Sequence, residues 1–181
     1  MIAEAHAKAA LSRRCILTGF AIGLAVIPVL PVLASGKSAA KGFLAGIYQR
    51  YVGSSAGPAK GISLNSVRTV RSYFTFGLAS LIIEDRAAAV KRGEPPVLDG
   101  DPFIGSRDWD ISNLAIEVKD TGAFKAVGTV TFMNSGKPEQ VVLELLRSGD
   151  DWRIADVAWD SGTLRGLYRR HAARDSEPAP R

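Results

Sequence analysis

The sequence predicts an α+β fold, with N-terminal helices packed on a curved four-stranded antiparallel sheet. Three observations predict it. Apolar residues recur every three to four positions as far as Lys91, the spacing of helices that bury one stripe. After Asp110 the period falls to two, the spacing of strands with one buried face. Turn residues cut this second part at short intervals, so its strands join as hairpins. Helices segregated ahead of an antiparallel sheet belong to the α+β class. The composition agrees: of 181 residues 46% are hydrophobic and 23% charged, enough apolar material for one core and incompatible with wholesale disorder.

Residues 1–34 read as an export signal. Arg13 and Arg14 close a basic segment, and the 22 residues from Cys15 to Gly36 carry no charge. Val32-Leu33-Ala34 places small residues at the −3 and −1 positions of a signal-peptidase site. Ser12-Arg13-Arg14-Cys15-Ile16-Leu17-Thr18 resembles the twin-arginine translocation motif, with Ile16 and Thr18 departing from its usual Phe and Lys. The alternative is an uncleaved inner-membrane anchor, because 22 uncharged residues suffice to span a bilayer. Pro28 and Pro31 would interrupt such a helix. In both cases the basic flank stays inside and the body lies outside the cytoplasm, periplasmic or secreted.

A single domain is expected over residues 35–170. Phe43, Leu44, Ile47, Tyr48 and Tyr51 form the apolar stripe of a first helix over Ser38–Val52, stopped by Gly53. Small residues from Ser54 to Gly61 make a loop. A short helix follows over Ser66–Phe74. Thr75 is the N-cap of a third helix reaching Lys91, ended by Gly93 and Pro95-Pro96. Residues 97–110 carry Gly100, Pro102 and Gly105 and read as irregular. Leu114, Ile116 and Val118 alternate in the first strand, closed by a turn at Asp120-Thr121-Gly122. Phe124, Ala126, Gly128, Val130 and Phe132 face inward from the second, closed by Asn134-Ser135-Gly136-Lys137. Val141, Leu143 and Leu145 share one face of the third. The fourth spans Trp152–Asp160, a short helix occupies Thr163–Arg170, and residues 171–181 read as a disordered tail.

Charge and residue usage exclude several function classes. The formal charge is +5, but Lys8, Arg13 and Arg14 lie in the export signal against Glu4 alone. The remaining 147 residues carry 20 bases and 17 acids, too mild and dispersed a balance for a nucleic-acid binder. Cys15 is the only cysteine and His6 and His171 the only histidines. An exported body without thiols and with one tail histidine offers no disulfide, thiol nucleophile, zinc site or serine-histidine-aspartate triad. No cofactor and no metal is expected.

Several ordered motifs carry a resemblance. Phe43-Leu44-Ala45-Gly46-Ile47-Tyr48, Leu98-Asp99-Gly100-Asp101-Pro102-Phe103, Asp108-Trp109-Asp110-Ile111, Trp152-Arg153-Ile154-Ala155-Asp156-Val157 and Ser161-Gly162-Thr163-Leu164-Arg165 resemble the bacterial envelope family known as domain-of-unknown-function family 3828. The resemblance covers residues 43–168, with Asp151 where the family favours glycine. It implies secreted or lipid-anchored proteins with a cone-shaped fold similar to nuclear transport factor 2. It implies no activity, and related cones house enzymes and binding modules alike.

Candidate pocket residues are Asp85, Asp156, Tyr73, Trp109 and Trp159. Asp85 falls among Leu78, Leu81, Ile82 and Ala89 on one helical face, where a carboxylate needs a partner or a cavity. Asp156 shares the period-two face of Trp152 and Ile154, so it is expected inward. Arg68, Arg71, Arg86 and Arg153, or backbone caps, are the structural partners open to these carboxylates. Tyr48, Tyr51 and Tyr73 read as core and cavity wall. Asp99, Asp101, Asp108 and Asp110 form an acidic loop whose density suits calcium, but whose Asp-Gly and Asp-Pro pairs are also ordinary turn chemistry. Arg165, Arg169, Arg170 and His171 form a basic end.

With no catalytic residue assigned, the expected function is a non-enzymatic ligand-binding or accessory domain of the bacterial envelope. The alternative is a small cofactor-free isomerase, dehydratase or hydrolase using inward carboxylates. Partners would be a small ligand or an envelope protein. Membrane contact would come only through an uncleaved signal.

Overall fold

The computed structural model describes residues 36–175, so the expected export signal and cleavage site lie outside the described residues. Four helices and a six-stranded antiparallel sheet that does not close make up an α+β body. Helix α1 (Gly36–Tyr48) buries Ala40, Leu44, Ile47 and Tyr48, one stripe at helical spacing. It ends four residues before the expected Val52. A tight turn there, with the Tyr51 N–H on the Tyr48 carbonyl at 3.0 Å, brings Tyr51 fully into the core. Helix α2 (Val67–Tyr73) runs into an extended Phe74, and the Thr75 N–H bonds the Ile154 carbonyl at 2.9 Å. Helix α3 (Phe76–Arg92) starts from Thr75, whose side chain makes no capping bond and accepts Arg165 Nη2 at 3.5 Å instead. Gly93 ends it at φ 68°, the left-handed conformation that favours glycine.

The strands are β1 (Gly53–Ser54), β2 (Asp110–Gly122), β3 (Lys125–Asn134), β4 (Lys137–Ser148), β5 (Asp151–Trp159) and β6 (Gly162–Thr163). They lie side by side in chain order, each antiparallel to the next. The expected four strands are β2 to β5. Two further strands border them, each of two residues, too short to show any period. Helix α4 (Leu164–Asp175) runs five residues past the end expected at Arg170, so the described part of the expected tail is helical.

Side-chain alternation places the core on one face of the sheet. Ala126, Val130 and Phe132 of β3 and Val141, Leu143 and Leu145 of β4 are buried there. Helix α1 lies close over Gly128: a Cβ at this position would collide with Leu44 Cδ1. The β3–β4 turn is the one expected, with Ser135 at φ 49° and Gly136 at φ 79°, both left-handed as a two-residue hairpin demands. The β2–β3 turn is displaced. Strand β2 continues through Gly122, which pairs with Lys125, and Ala123-Phe124 makes the bend. Phe124 is therefore an exposed turn residue, where an inward strand position was expected.

A second correction bears on the site. Glu144 pairs with Asp156, but Leu145 pairs with Ile154, so Ala155 is an extra residue in β5. This bulge inverts the alternation. Val157, expected on the opposite face, is fully buried, while Asp156 leaves the face of Trp152 and Ile154 and is only half-buried.

Candidate functional site

The expected pocket carboxylates are tied to backbone groups. Asp85 accepts the Val97 N–H at 2.9 Å on Oδ1 and the Leu98 N–H at 3.2 Å on Oδ2, with the Tyr168 hydroxyl at 3.5 Å. It fastens the loop after α3 to that helix. Asp156 Oδ1 accepts its neighbour's Val157 N–H at 2.9 Å and the Arg165 N–H at 3.0 Å. Arg165 is the second residue of α4, so Asp156 caps that helix from the sheet and meets its positive end. The ion pairs found lie elsewhere. Among the described residues Arg153 pairs with Asp151, and Arg68 and Arg71 have no ion-pair partner.

The four loop aspartates do not converge. Asp99 pairs with Arg107. The Asp108 carbonyl accepts the Ser106 hydroxyl at 2.6 Å, and the Asp110 N–H donates to Asn134 Oδ1 at 2.9 Å. No three His, Cys, Asp or Glu side chains among the described residues stand together in a way that would hold a metal ion.

Asp101 alone turns inward. Its Oδ2 accepts the Tyr51 hydroxyl at 2.6 Å, and its Oδ1 accepts the Phe103 N–H at 2.9 Å, closing the turn that Pro102 bends. The Tyr51 oxygen in turn accepts the Ile62 N–H at 2.9 Å, and the Tyr48 hydroxyl donates to the Phe103 carbonyl at 2.9 Å. Helix α1, the segment after β1 and the 93–109 loop therefore meet at one phenol-carboxyl pair. Burial pushes the Asp101 carboxyl up to about 6 from 3.8, against the lowering pull of the Tyr51 hydroxyl, the Phe103 N–H and the Arg86 charge. Burial, then the Asp101 charge, also drives both tyrosines above their ordinary range, so they remain protonated donors.

Two open clefts flank this pair and share Gly100 and Asp101. One, of about 280 Å³, is lined by Ile62, Leu64, Arg86, Arg107 and Trp109. The other, of about 290 Å³, is lined by Leu98, Trp159, Ser161 and Leu167. Trp109 and Trp159 thus belong to different clefts. Trp159 is anchored, its Nε1–H on the Pro102 carbonyl at 3.1 Å and its ring against Gly105. Trp109 packs 5.1 Å from Tyr51 and covers Gly61, where a Cβ would come within 2.9 Å of both rings. Gly61 is also left-handed at φ 60°, so backbone and space both call for glycine. Among the described residues the Trp109 indole N–H is buried without a hydrogen-bond partner. Tyr73 packs edge-on to Phe103 at 6.0 Å and is a wall of the aromatic core.

Sequence reasoning named Asp101 only as one loop acid of four and missed Arg86 as its electrostatic neighbour. The signal available was Asp101-Pro102-Phe103 itself, a turn whose aspartate is held by the backbone. Its partner Tyr51 lies 50 residues away, a distance no local pattern bridges. No helix among the described residues is long and apolar enough to cross a membrane. No protein-family model matches this chain, and no curated protein and no solved structure matches it either.

Proposed function

We propose that this chain is an exported bacterial envelope protein of the cone-shaped class resembling nuclear transport factor 2, and that it binds a small ligand without transforming it. The ligand sits in the cleft between Ile62-Leu64 and the 100–109 loop. The observation that carries the reading is the lining of this cleft, which sets the Trp109 ring and the apolar Ile62 and Leu64 beside two guanidiniums, Arg86 and Arg107. Arg86 and Arg107 on the same wall favour a ligand that carries acceptors or negative charge. Both oxygens of Asp85 accept backbone N–H groups, and neither Asp85 nor Asp156 lines the two clefts at Asp101, which supports binding over catalysis because a general acid or base must face its substrate.

One observation favours the enzyme alternative: Asp101, poised near 6, lies on two clefts. Native mass spectrometry of the protein purified from its own envelope separates the readings. A ligand retained by the natural chain, lost in Trp109→Ala and recovered chemically unchanged after incubation supports binding. A ligand recovered in altered form, with the change abolished by Asp101→Asn, overturns it. The same spectrum tests export, for which the chain should begin at Ser35. An intact Met1 form confined to the cytoplasm would sink that part.

A further inference from the structure

A third cleft, separate from the two at Asp101, lies where the α2–α3 corner meets the β4–β5 hairpin. Its volume is about 430 Å³, within the range of small-molecule sites. Arg71, Arg147 and Arg153 line it, and no carboxylate does. Arg71 comes from the last turn of α2, Arg147 from the end of β4 and Arg153 from the start of β5, so three separate elements deliver one sign of charge. Like charges brought together repel one another and need a counterion.

The present counterions are weak. Arg147 meets Asp150 at 3.7 Å and Arg153 meets Asp151 at 3.2 Å, and both carboxylates stand in solvent outside the cleft lining. Exposed pairs of this kind contribute little and yield readily to a better-placed anion. Arg71 has no ion-pair partner among the described residues. Arg153 is held in place, its Nη1 donating to the Trp152 carbonyl at 2.9 Å and its Nη2 to the exposed Asp151 carboxylate at 3.2 Å.

The rest of the cleft is apolar. Phe74 and Leu146 line it, and Phe76 on its wall is 78% exposed, unusual for a phenylalanine in a body with a complete core. Guanidiniums beside an exposed ring and an apolar floor fit a ligand with two parts. We propose that this cleft binds an anion with an apolar body, a phosphate or carboxylate carried on an aromatic or alkyl group. The anionic group bridges Arg71, Arg147 and Arg153, and the apolar part covers Phe76 and Leu146. A soluble monoester and a lipid headgroup share this chemistry.

Titration calorimetry of the chain from Ser35 onward tests the proposal with phenyl phosphate and inorganic phosphate. Co-sedimentation with vesicles of 30% phosphatidylglycerol in phosphatidylcholine tests the lipid source. Phenyl phosphate should bind at least tenfold more tightly than inorganic phosphate. Arg71→Ala and Arg147→Ala should each weaken it about tenfold, and Phe76→Ala should remove the advantage of the phenyl group while leaving phosphate binding in place. These three residues are exposed, so the variants should melt with the natural chain. Arg169→Ala, on the surface of α4, should change nothing. Vesicle binding lost in the same variants assigns the lipid source, and phenyl phosphate binding without vesicle binding assigns the soluble one. Equal affinity for the two phosphates, indifference to the three substitutions, an equal loss in Arg169→Ala, or binding in neither format overturns the proposal.

Discussion

The sheet and the 93–109 loop both supply fully buried residues, Leu143 and Ile154 from the one and Phe103 and Ile104 from the other, yet different forces hold them. In the sheet the backbone satisfies itself through the ladder, and side chains need only be apolar on alternate positions. The loop has almost no ladder. Its polar backbone is satisfied by side chains from other elements: Tyr48 on the Phe103 carbonyl, Asp85 on Val97 and Leu98, and Trp159 on the Pro102 carbonyl. Repetition holds the one, and a few long-range bonds the other. The loop should therefore be the region where single substitutions of polar residues are felt.

The comparison breaks most visibly at Phe103. It is fully buried and stacks on Phe74 at 5.7 Å, with Tyr51 at 5.9 Å. Phe103→Ala should cost about 3–5 kcal/mol, as much as the about 2–5 kcal/mol expected for Leu143→Ala in the sheet. Urea unfolding of both variants checks this. A cost under about 1 kcal/mol for Phe103 would make the loop an appendage with no share in the core.

Next is the Asp101 carboxyl. Its pKa is raised in the fold, so the native state binds the proton more tightly than the unfolded chain does. The stability this confers is fully present below about pH 4 and is lost as pH rises through about 6, a fall of about 3 kcal/mol. Asp101→Asn cannot ionise and should flatten that stretch of the stability profile. Melting temperatures between pH 4 and 7 that decline equally in both proteins would place the titration elsewhere.

Asp156 sharpens the contrast inside the sheet, since it is a strand residue that behaves like a loop one. Losing its bonds to Val157 and Arg165 in Asp156→Ala should cost about 1–2 kcal/mol, the usual penalty for an uncapped helix start. Loss of α4 helicity by circular dichroism should accompany it. A variant as stable as the natural chain would free Asp156 for a role at a site. The smallest effect belongs to Phe124→Ser. At an exposed turn it should alter stability by no more than about 0.5 kcal/mol, whereas an inward strand position would cost several times more.

The same contrast explains what the sequence makes legible. Strands β2 to β5 announce themselves by alternation, and Ser135-Gly136 names its own hairpin, because both are local consequences of backbone geometry. Gly93 likewise marks the end of α3. The face of Asp156 is not legible. One extra residue at Ala155 reverses every later side chain, and nothing in Ile154-Ala155-Asp156 distinguishes a bulge from continuous pairing. The Asp101–Tyr51 pair is hidden for another reason: its two halves come together only after the helix and the loop have packed. Candidate residue types could be named from the sequence, while their grouping depended on tertiary contacts.

Strand β2 has a consequence for life at high concentration. It meets β1 over two residues, and among the described residues the rest of its 13-residue length has no strand partner on that side. A bare margin of this length invites a strand from another molecule and can seed fibrils. Here the margin is bent and charged. Asn113, at φ 52°, sits in a register shift between Ser112 and Ala115, and Glu117, Lys119 and Asp120 stand exposed along the remainder. An incoming strand would meet a kink at one end and would bury charges of both signs at the other, so self-association along this margin is resisted by the strand itself.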